Sequence, residues 1–335
     1  MPPPGYEPFL ATLLDDPTSN APRLVYADWL EEQGDPRAEF IRVQVEHAGM
    51  PETDSNREAL SDRQSALLNV HGEAWRAELP EWARDGCEFV RGFVEHVHVW
   101  VPWKTLFGPR LASDAPVRKL TLHEVANSCQ DFAAGPWLRH LSELVFLDPR
   151  MGPGELRDLC HSDTAFVGLT SLQFMGMDLL DTAGLLLSLC PHLTKLSRLE
   201  LVRCKIDPRG VTMLADAENM PALTWLDLSE NDVDDHSLSY MANASLIRRL
   251  TRLLLNNNNL TGRTVIALAE SPGASGLTHL ELAGNHIGDA AAHRLIEAFP
   301  NLSYLNLAQN PLTSSAMLAL KAHYGPRVHL GVPGE

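Results

Sequence analysis

Between residues 196 and 312 the apolar positions return on a fixed schedule. Leu196, Leu199, Leu201, Cys204 and Ile206 are followed by Leu223, Leu226, Leu228, Asn231 and Val233, then by Leu250, Leu253, Leu255, Asn258 and Leu260. Leu277, Leu280, Leu282, Asn285 and Ile287 come next, and Leu302, Leu305, Leu307, Asn310 and Leu312 close the series. The first four copies are 27 residues apart and the fifth follows after 25. All five obey L-x-x-L-x-L-x-x-[N/C]-x-[L/I/V]. Alternation in x-L-x-L predicts a short strand with its leucines on one face. The Asn or Cys at the ninth position can satisfy backbone groups where the chain turns.

The remainder of each copy predicts a helix, from apolar pairs and triplets at helical spacing: Val211/Leu214, Leu238/Met241, Ile266/Leu268/Ala269, Leu295/Ile296 and Met317/Leu318/Leu320. One copy cannot bury both faces, so stability must come from stacking neighbours. Towards the amino terminus the pattern degrades through Leu169/Leu172/Phe174/Met177/Leu179, Leu141/Leu144/Phe146, Val117/Leu120/Leu122/Val125 and Val94/Val97/Val99. This gives nine repeats, the first two short and irregular. Val328-His329-Leu330 predicts a capping strand and Gly331 to Glu335 a frayed end.

The repeated string resembles the leucine-rich repeat, and its length and Asn/Cys alternation resemble the ribonuclease-inhibitor-like subtype. The resemblance implies an α/β solenoid over residues 91–335, with a curved parallel sheet inside and helices outside. A small all-α domain is expected to precede it.

Residues 6–48 carry helical signals. Pro22 to Glu32 reads as a helix burying Leu24, Val25, Ala27, Trp29 and Leu30 and stopping at Gly34; Asp35-Pro36 starts a second as N-cap and first residue, continuing through Phe40, Ile41, Val43 and Val45. The run from Ala21 to Gln44 resembles the bacterial repeat-companion domain, and Arg91-Gly92-Phe93-Val94-Glu95 is similar to the entry into repeats in such proteins; the resemblance implies no particular reaction. The expected division is 1–50 for this domain, 51–90 for a linker and helical cap, with two short helices around Ala66-Leu67-Leu68 and Trp75, and 91–335 for the solenoid.

Composition narrows the function. With 43 acidic and 27 basic residues the formal charge is −16, which repels phosphate backbones and anionic bilayers and argues against nucleic acid or membrane as partner. The start, Met1 to Glu7, has no basic or apolar leader segment, and no stretch is long and apolar enough to span a bilayer, so a cytoplasmic protein is expected. Cys87, Cys129, Cys160, Cys190 and Cys204 form no C-x-x-C and read as reduced packing thiols. On that reading the Asn243, Asn259 and Asn301 glycosylation patterns carry no meaning.

Little in the sequence points to chemistry. His96 and His98 have the spacing of two metal ligands on one strand face, but no third ligand is placed near them in sequence, so they read as exposed histidines. Asp28, Glu31 and Glu32 read as a solvated helix face and not as acid/base partners. Gly152-Pro153-Gly154 lacks the Lys-Ser/Thr of a phosphate loop, and no nucleophile motif is present. The Asn256–Asn259 run is structural, since Asn258 holds the ninth position. No cofactor and no metal are expected, and the protein is not expected to be an enzyme.

If the strands line an inner curve, the third and fifth positions of the repeats form two ladders on it. The third-position ladder is His96, Lys119, Glu143, Ser171, Arg198, Trp225, Arg252, His279 and Tyr304; the fifth is His98, Thr121, Val145, Gln173, Glu200, Asp227, Leu254, Glu281 and Asn306. Tryptophan, tyrosine and arginine are enriched at binding hot spots. The expected partner surface is therefore Arg198, Glu200, Trp225, Asp227, Arg252, Leu254, His279, Glu281, Tyr304 and Asn306, with Trp225 anchoring a protein or peptide. Two alternatives compete: the arginines could simply pair with Glu200, Asp227 and Glu281 across strands, and the chain could regulate an enzyme, as a GTPase-activating or inhibitory protein would. An enzymatic amino-terminal domain would require a pocket with perturbed titratable groups there.

Overall fold

The computed structural model describes residues 5–100, 115–123 and 129–331. Val125, the first four residues of the leader reading and residues 332–335 of the expected frayed end lie outside them. The chain divides into two compact units: Met1–Glu124 with His140–Glu143, and Val125–Arg139 with Leu144–Glu335.

The first unit opens with four helices, α1 (Glu7–Asp15), α2 (Ala21–Glu32), α3 (Arg37–Gly49) and α4 (Arg57–Arg76), and a single turn at Glu81–Arg84. Residues 57–85 thus form one helix of 20 residues and one of four, where two short helices were expected. Helix α2 ends before Gly34, as its left-handed φ of 70° requires. Helix α3 begins one residue later than expected, Asp35 Oδ1 accepting from Arg37 N at 2.8 Å.

The buried face of α2 differs from the expected one. Leu24 and Val25 are exposed, while Arg23, Tyr26, Ala27 and Leu30 are buried. Tyr26 sits among Tyr6, Phe9, Trp29 and Phe93, all within 6 Å between ring centroids. A second aromatic group joins Phe40, Trp75 and Phe89. Arg23, 1% exposed, forms an ion pair with buried Glu95 at 2.6 Å, and Arg91 approaches the same carboxylate at 3.7 Å.

The unit continues with β1 (Cys87–Val90), β2 (Phe93–Val99) and β3 (Lys119–Leu122). Strand β1, which the repeat pattern did not foretell, pairs antiparallel with β2 through a turn at Arg91 (φ 48°) and Gly92 (φ 90°). A side chain on Gly92 would also collide with Ile41, at 2.3 Å. Strand β3 pairs parallel with β2.

The second unit carries the regular repeats. Its strands are β4 (Glu143–Phe146), whose first residue belongs to the first unit, then β5 (Ser171–Met175), β6 (Arg198–Val202), β7 (Trp225–Asp227), β8 (Arg252–Leu254), β9 (His279–Glu281), β10 (Tyr304–Asn306) and β11 (Val328–His329). From β5 to β11 each strand pairs parallel with the next in chain order. Leu199, Leu226, Leu253, Leu280 and Leu305 lie directly opposite one another in this register and are fully buried, so the leucines stack rung upon rung.

Pro153–Cys160 and Thr182–Leu189 follow β4 and β5, and Pro208–Ala215, Asp235–Asn243, Gly262–Glu270, Asp289–Ala298 and Ser314–Tyr324 follow β6 to β10. Each packs against its successor. Val211, Leu214, Leu238, Met241, Leu268, Leu295 and Leu320 face the core as expected. Ile266 and Leu318 do not: both are exposed, and Val265 and Ala316 take the inward positions. Helices 182–189 and 208–215 come so close that a Cβ on Gly184 would lie 2.0 Å from the Gly210 carbonyl oxygen.

The ninth-position asparagines explain the period. Asn258 donates from Nδ2 to the Leu228, Leu255 and Asn256 carbonyls and accepts from Val233 N at 3.0 Å. Asn231 accepts from Cys204 N and Ile206 N and donates to the Leu201, Leu228 and Ser229 carbonyls. Asn285 and Asn310 repeat the pattern towards Leu260 N and Ile287 N. Each asparagine therefore closes its own turn and ties it to the turn before. Cys204 keeps the position with weaker means, its thiol donating to the Phe174 and Val202 carbonyls, and burial pushes that thiol up to about 12.

Candidate functional site

Strand alternation puts Leu199, Leu226, Leu253 and Leu280 in the core and leaves the residues on either side of them on the opposite face of the sheet. Arg198, Trp225, Arg252, His279 and Tyr304 stand opposite one another in consecutive rungs, and Glu200, Asp227, Leu254, Glu281 and Asn306 form a second row two residues further on. All ten residues singled out from the sequence thus share one face.

The first row is a stack. Arg198 Cζ lies 3.7 Å from the Trp225 ring centroid and Arg252 Cζ lies 4.6 Å from it, one from each neighbouring strand. Trp225 is half-buried, and its Nε1 has no hydrogen-bond partner among the described residues. His279 continues the row, stacked on Tyr304 at 6.2 Å and hydrogen-bonded to the Thr278 hydroxyl. Burial, with Arg252 alongside, holds the His279 imidazole below its ordinary pKa. Burial, with Glu281 nearby, raises the Tyr304 phenol.

The second row is acidic. Glu200 and Asp227 are 7% and 9% exposed, so both carboxylates are largely withdrawn from water. Arg198 pairs with Glu200 within its own strand. The cross-strand pairing considered from the sequence is not what forms: among the described residues Arg252 has no carboxylate partner. Asp227 accepts from Ser229 N at 2.8 Å, and Glu281 accepts from Asn256 Nδ2 at 2.7 Å. Burial raises the Asp227 pKa, and the charges of Glu200 and Glu281 raise it further.

In the first unit, Glu88 of β1 stands between the two histidines of β2, its carboxylate 3.0 Å from His96 Nδ1 and 3.4 Å from His98 Nε2. Both imidazoles are partly buried, where exposed ones were expected. The hairpin thus gives the two histidines a shared carboxylate partner. The two histidines hold the Glu88 carboxyl below the usual range. His98, Trp100 and His123 stack beside them. Among the described residues no group of three or more His, Cys, Asp or Glu is placed to hold a metal ion.

A family model described as leucine-rich repeat matches residues 192–215, which hold the strand, turn and helix of one repeat, and 277–293, which hold the strand, turn and first half of the helix of another. These repeats are leucine-rich repeats. Three solved structures are similar to the chain. An internalin from Listeria monocytogenes is 20% identical over 61% of this chain and 52% of its own, with a TM-score of 0.41, so the chain spans about half the length of that protein. A Bacteroides fragilis protein is 14% identical over 78% of this chain and 85% of its own, TM-score 0.43. The structure of the yeast Rad7 and Elc1 complex gives 15% identity over 91% and 94%, TM-score 0.44. No curated protein matches the chain. The match covers two of the repeats; no matched model covers the amino-terminal helices. No helix among the described residues is long and apolar enough to cross a membrane.

Proposed function

We propose that this protein is an interaction module that holds a protein or peptide partner on the sheet face bearing Trp225, the inner face of its solenoid, and that it acts in the cytoplasm. The observation that carries the reading is the Arg198–Trp225–Arg252 stack beside the Glu200–Asp227–Glu281 row. Aromatic and guanidinium groups fixed against one another lose little side-chain freedom on binding, and such groups are the types that dominate interface energetics. Because both indole faces are occupied by the protein's own guanidiniums, a partner meets the ring edge and the arginine donors. The amino-terminal helices, which resemble the repeat-companion domain, are proposed as a separate helical module over residues 1–50 that carries no reaction.

The test is affinity capture with the full chain followed by mass spectrometry. Wild type is compared with the Trp225→Ala/Arg252→Ala double variant and with Leu318→Ala, which alters an exposed outer-helix position. A partner retained by wild type and Leu318→Ala, and lost or weakened tenfold or more (about 1.4 kcal/mol) by the double variant, supports the reading. Equal recovery by all three overturns it.

A further inference from the structure

We infer that Cys160 and Cys190 form an oxidation site, a dithiol placed to close into a disulfide when hydrogen peroxide enters the surface cavity they share. The cavity, about 270 Å³, lies on the outer side of the second unit and is lined by Cys160, His161, Asp163, Leu189, Cys190 and His192, among others. The two cysteines come from consecutive repeats. Cys160 ends helix 153–160, and Cys190 caps helix 182–189, with its Sγ 3.7 Å from the Cys160 carbonyl oxygen. Both side chains line the cavity, one above the other at the ends of neighbouring helices.

The other three cysteines are differently placed. Cys129 and Cys204 direct their thiols to backbone carbonyls, and Cys87 does so towards Arg84. Cys129 also acts on Cys160 through its charge but does not line the cavity, and burial raises all three thiols above their ordinary values. At the dithiol the neighbouring Cys160 side chain lowers the Cys190 pKa, while Cys190 and burial raise that of Cys160. A thiolate is the nucleophile in such chemistry, so Cys190 is the attacking sulfur.

The step balances with one peroxide. The Cys190 sulfur attacks a peroxide oxygen, the O–O bond breaks, and the products are Cys190 sulfenic acid and water. The Cys160 sulfur then attacks the Cys190 sulfur, the S–S bond forms as the S–O bond breaks, and hydroxide leaves with the Cys160 proton as a second water. Both thiols are oxidised and the peroxide is reduced. The bond would fasten the ends of two neighbouring outer helices, and dithiothreitol would reopen it.

The sequence makes the test direct. Arg157 and Lys195 are consecutive tryptic sites, so both cysteines fall in the single peptide 158–195 and no other cysteine does. The full-length protein is treated with hydrogen peroxide, its remaining thiols are blocked under denaturant, and the digest is weighed. The expected result is a peptide that has lost two hydrogens and carries no blocking group, restored by dithiothreitol, while Cys87, Cys129 and Cys204 stay blockable. The folded chain should close the bond roughly tenfold or more faster than the urea-unfolded chain, because folding fixes the two sulfurs together. Cys190→Ala should leave Cys160 blockable; should that variant not fold, the folded-against-unfolded comparison in wild type still decides. Two blocked thiols in peptide 158–195 after peroxide, oxidation beyond sulfenic acid without a bond, or equal rates in folded and unfolded chains would each overturn the inference.

Discussion

Arg252 sets its guanidinium over the indole of Trp225, 4.6 Å from Cζ to ring centroid, while Arg198 covers the ring from the preceding strand. The 27-residue period causes this directly: equal spacing brings the third position of three repeats into adjacent rungs. A double-mutant cycle of Trp225→Ala and Arg252→Ala, read by urea denaturation, should return a coupling of about 0.5–2 kcal/mol. Additive single effects would mean that ring and cation do not interact in solution.

Asn258 is buried and serves four backbone groups, so Asn258→Ala leaves several of them without a partner. The expected loss is about 2–4 kcal/mol of unfolding free energy. Asn310 makes the same kind of bonds nearer the carboxyl end but is less buried, so Asn310→Ala should cost less. The order of the two denaturation midpoints checks this; the reverse order would remove burial as the cause.

Asp227 gives a pH dependence whose sign can be stated. Burial and the neighbouring carboxylates raise its folded pKa above the unfolded 3.8. Between those two values the folded state binds the extra proton, so this group's contribution favours folding at low pH and is lost as pH rises through the folded pKa. Asp227→Asn should therefore stabilise the protein at neutral pH and make no difference in acid below both values, since an amide oxygen can still accept from Ser229 N. Denaturation midpoints at several pH values, compared between wild type and variant, decide it. Asp235 titrates in the opposite sense: burial opposes the shift, but hydrogen bonds from Thr261 and Thr264 bring its pKa down, so its contribution is lost as pH falls.

The Arg23–Glu95 ion pair is almost fully buried, and burial penalises both charged forms, lowering the Arg23 pKa and raising that of Glu95. Arg23→Ala should destabilise the amino-terminal unit by about 3–5 kcal/mol because it strands a buried carboxylate. Arg23→Met with Glu95→Gln should recover part of that loss. Thermal unfolding followed by circular dichroism measures both, and a mild effect of Arg23→Ala alone would show that Arg91 suffices as counterion.

What could be read in advance follows from distance along the chain. The stacking of Leu226, Leu253 and Leu280, the asparagine turns and the single face shared by Arg198, Trp225 and Arg252 all follow from one period, so they were legible. Arg198 pairing with Glu200 was not, because two residues in one strand and two in neighbouring strands offer similar separations and only the rotamer decides. In α2 the apolar Leu24 and Val25 are exposed while Arg23 is buried, since its partner Glu95 lies 72 residues away and no local pattern announces it. Glu88 was missed for a related reason: β1 runs antiparallel to the repeats and falls outside their period. A signal for it existed, because Arg91-Gly92 between two apolar-rich segments is a two-residue hairpin turn. The exposed Ile266 and Leu318 show the limit of helical spacing in small helices, where adjacent apolar residues cannot all point inward.

The asparagine bonds between rungs all run one way. Asn310 serves Ile287 and Leu282, Asn285 serves Leu260 and Leu255, Asn258 serves Val233 and Leu228, and Asn231 serves Ile206 and Leu201. Trimming the chain from its carboxyl end strips such a clasp from the last surviving rung, whereas trimming ahead of residue 196 strips none from the rungs that remain. The array thus has a grain, and erosion that starts at the carboxyl terminus exposes a fresh unclasped rung at every step.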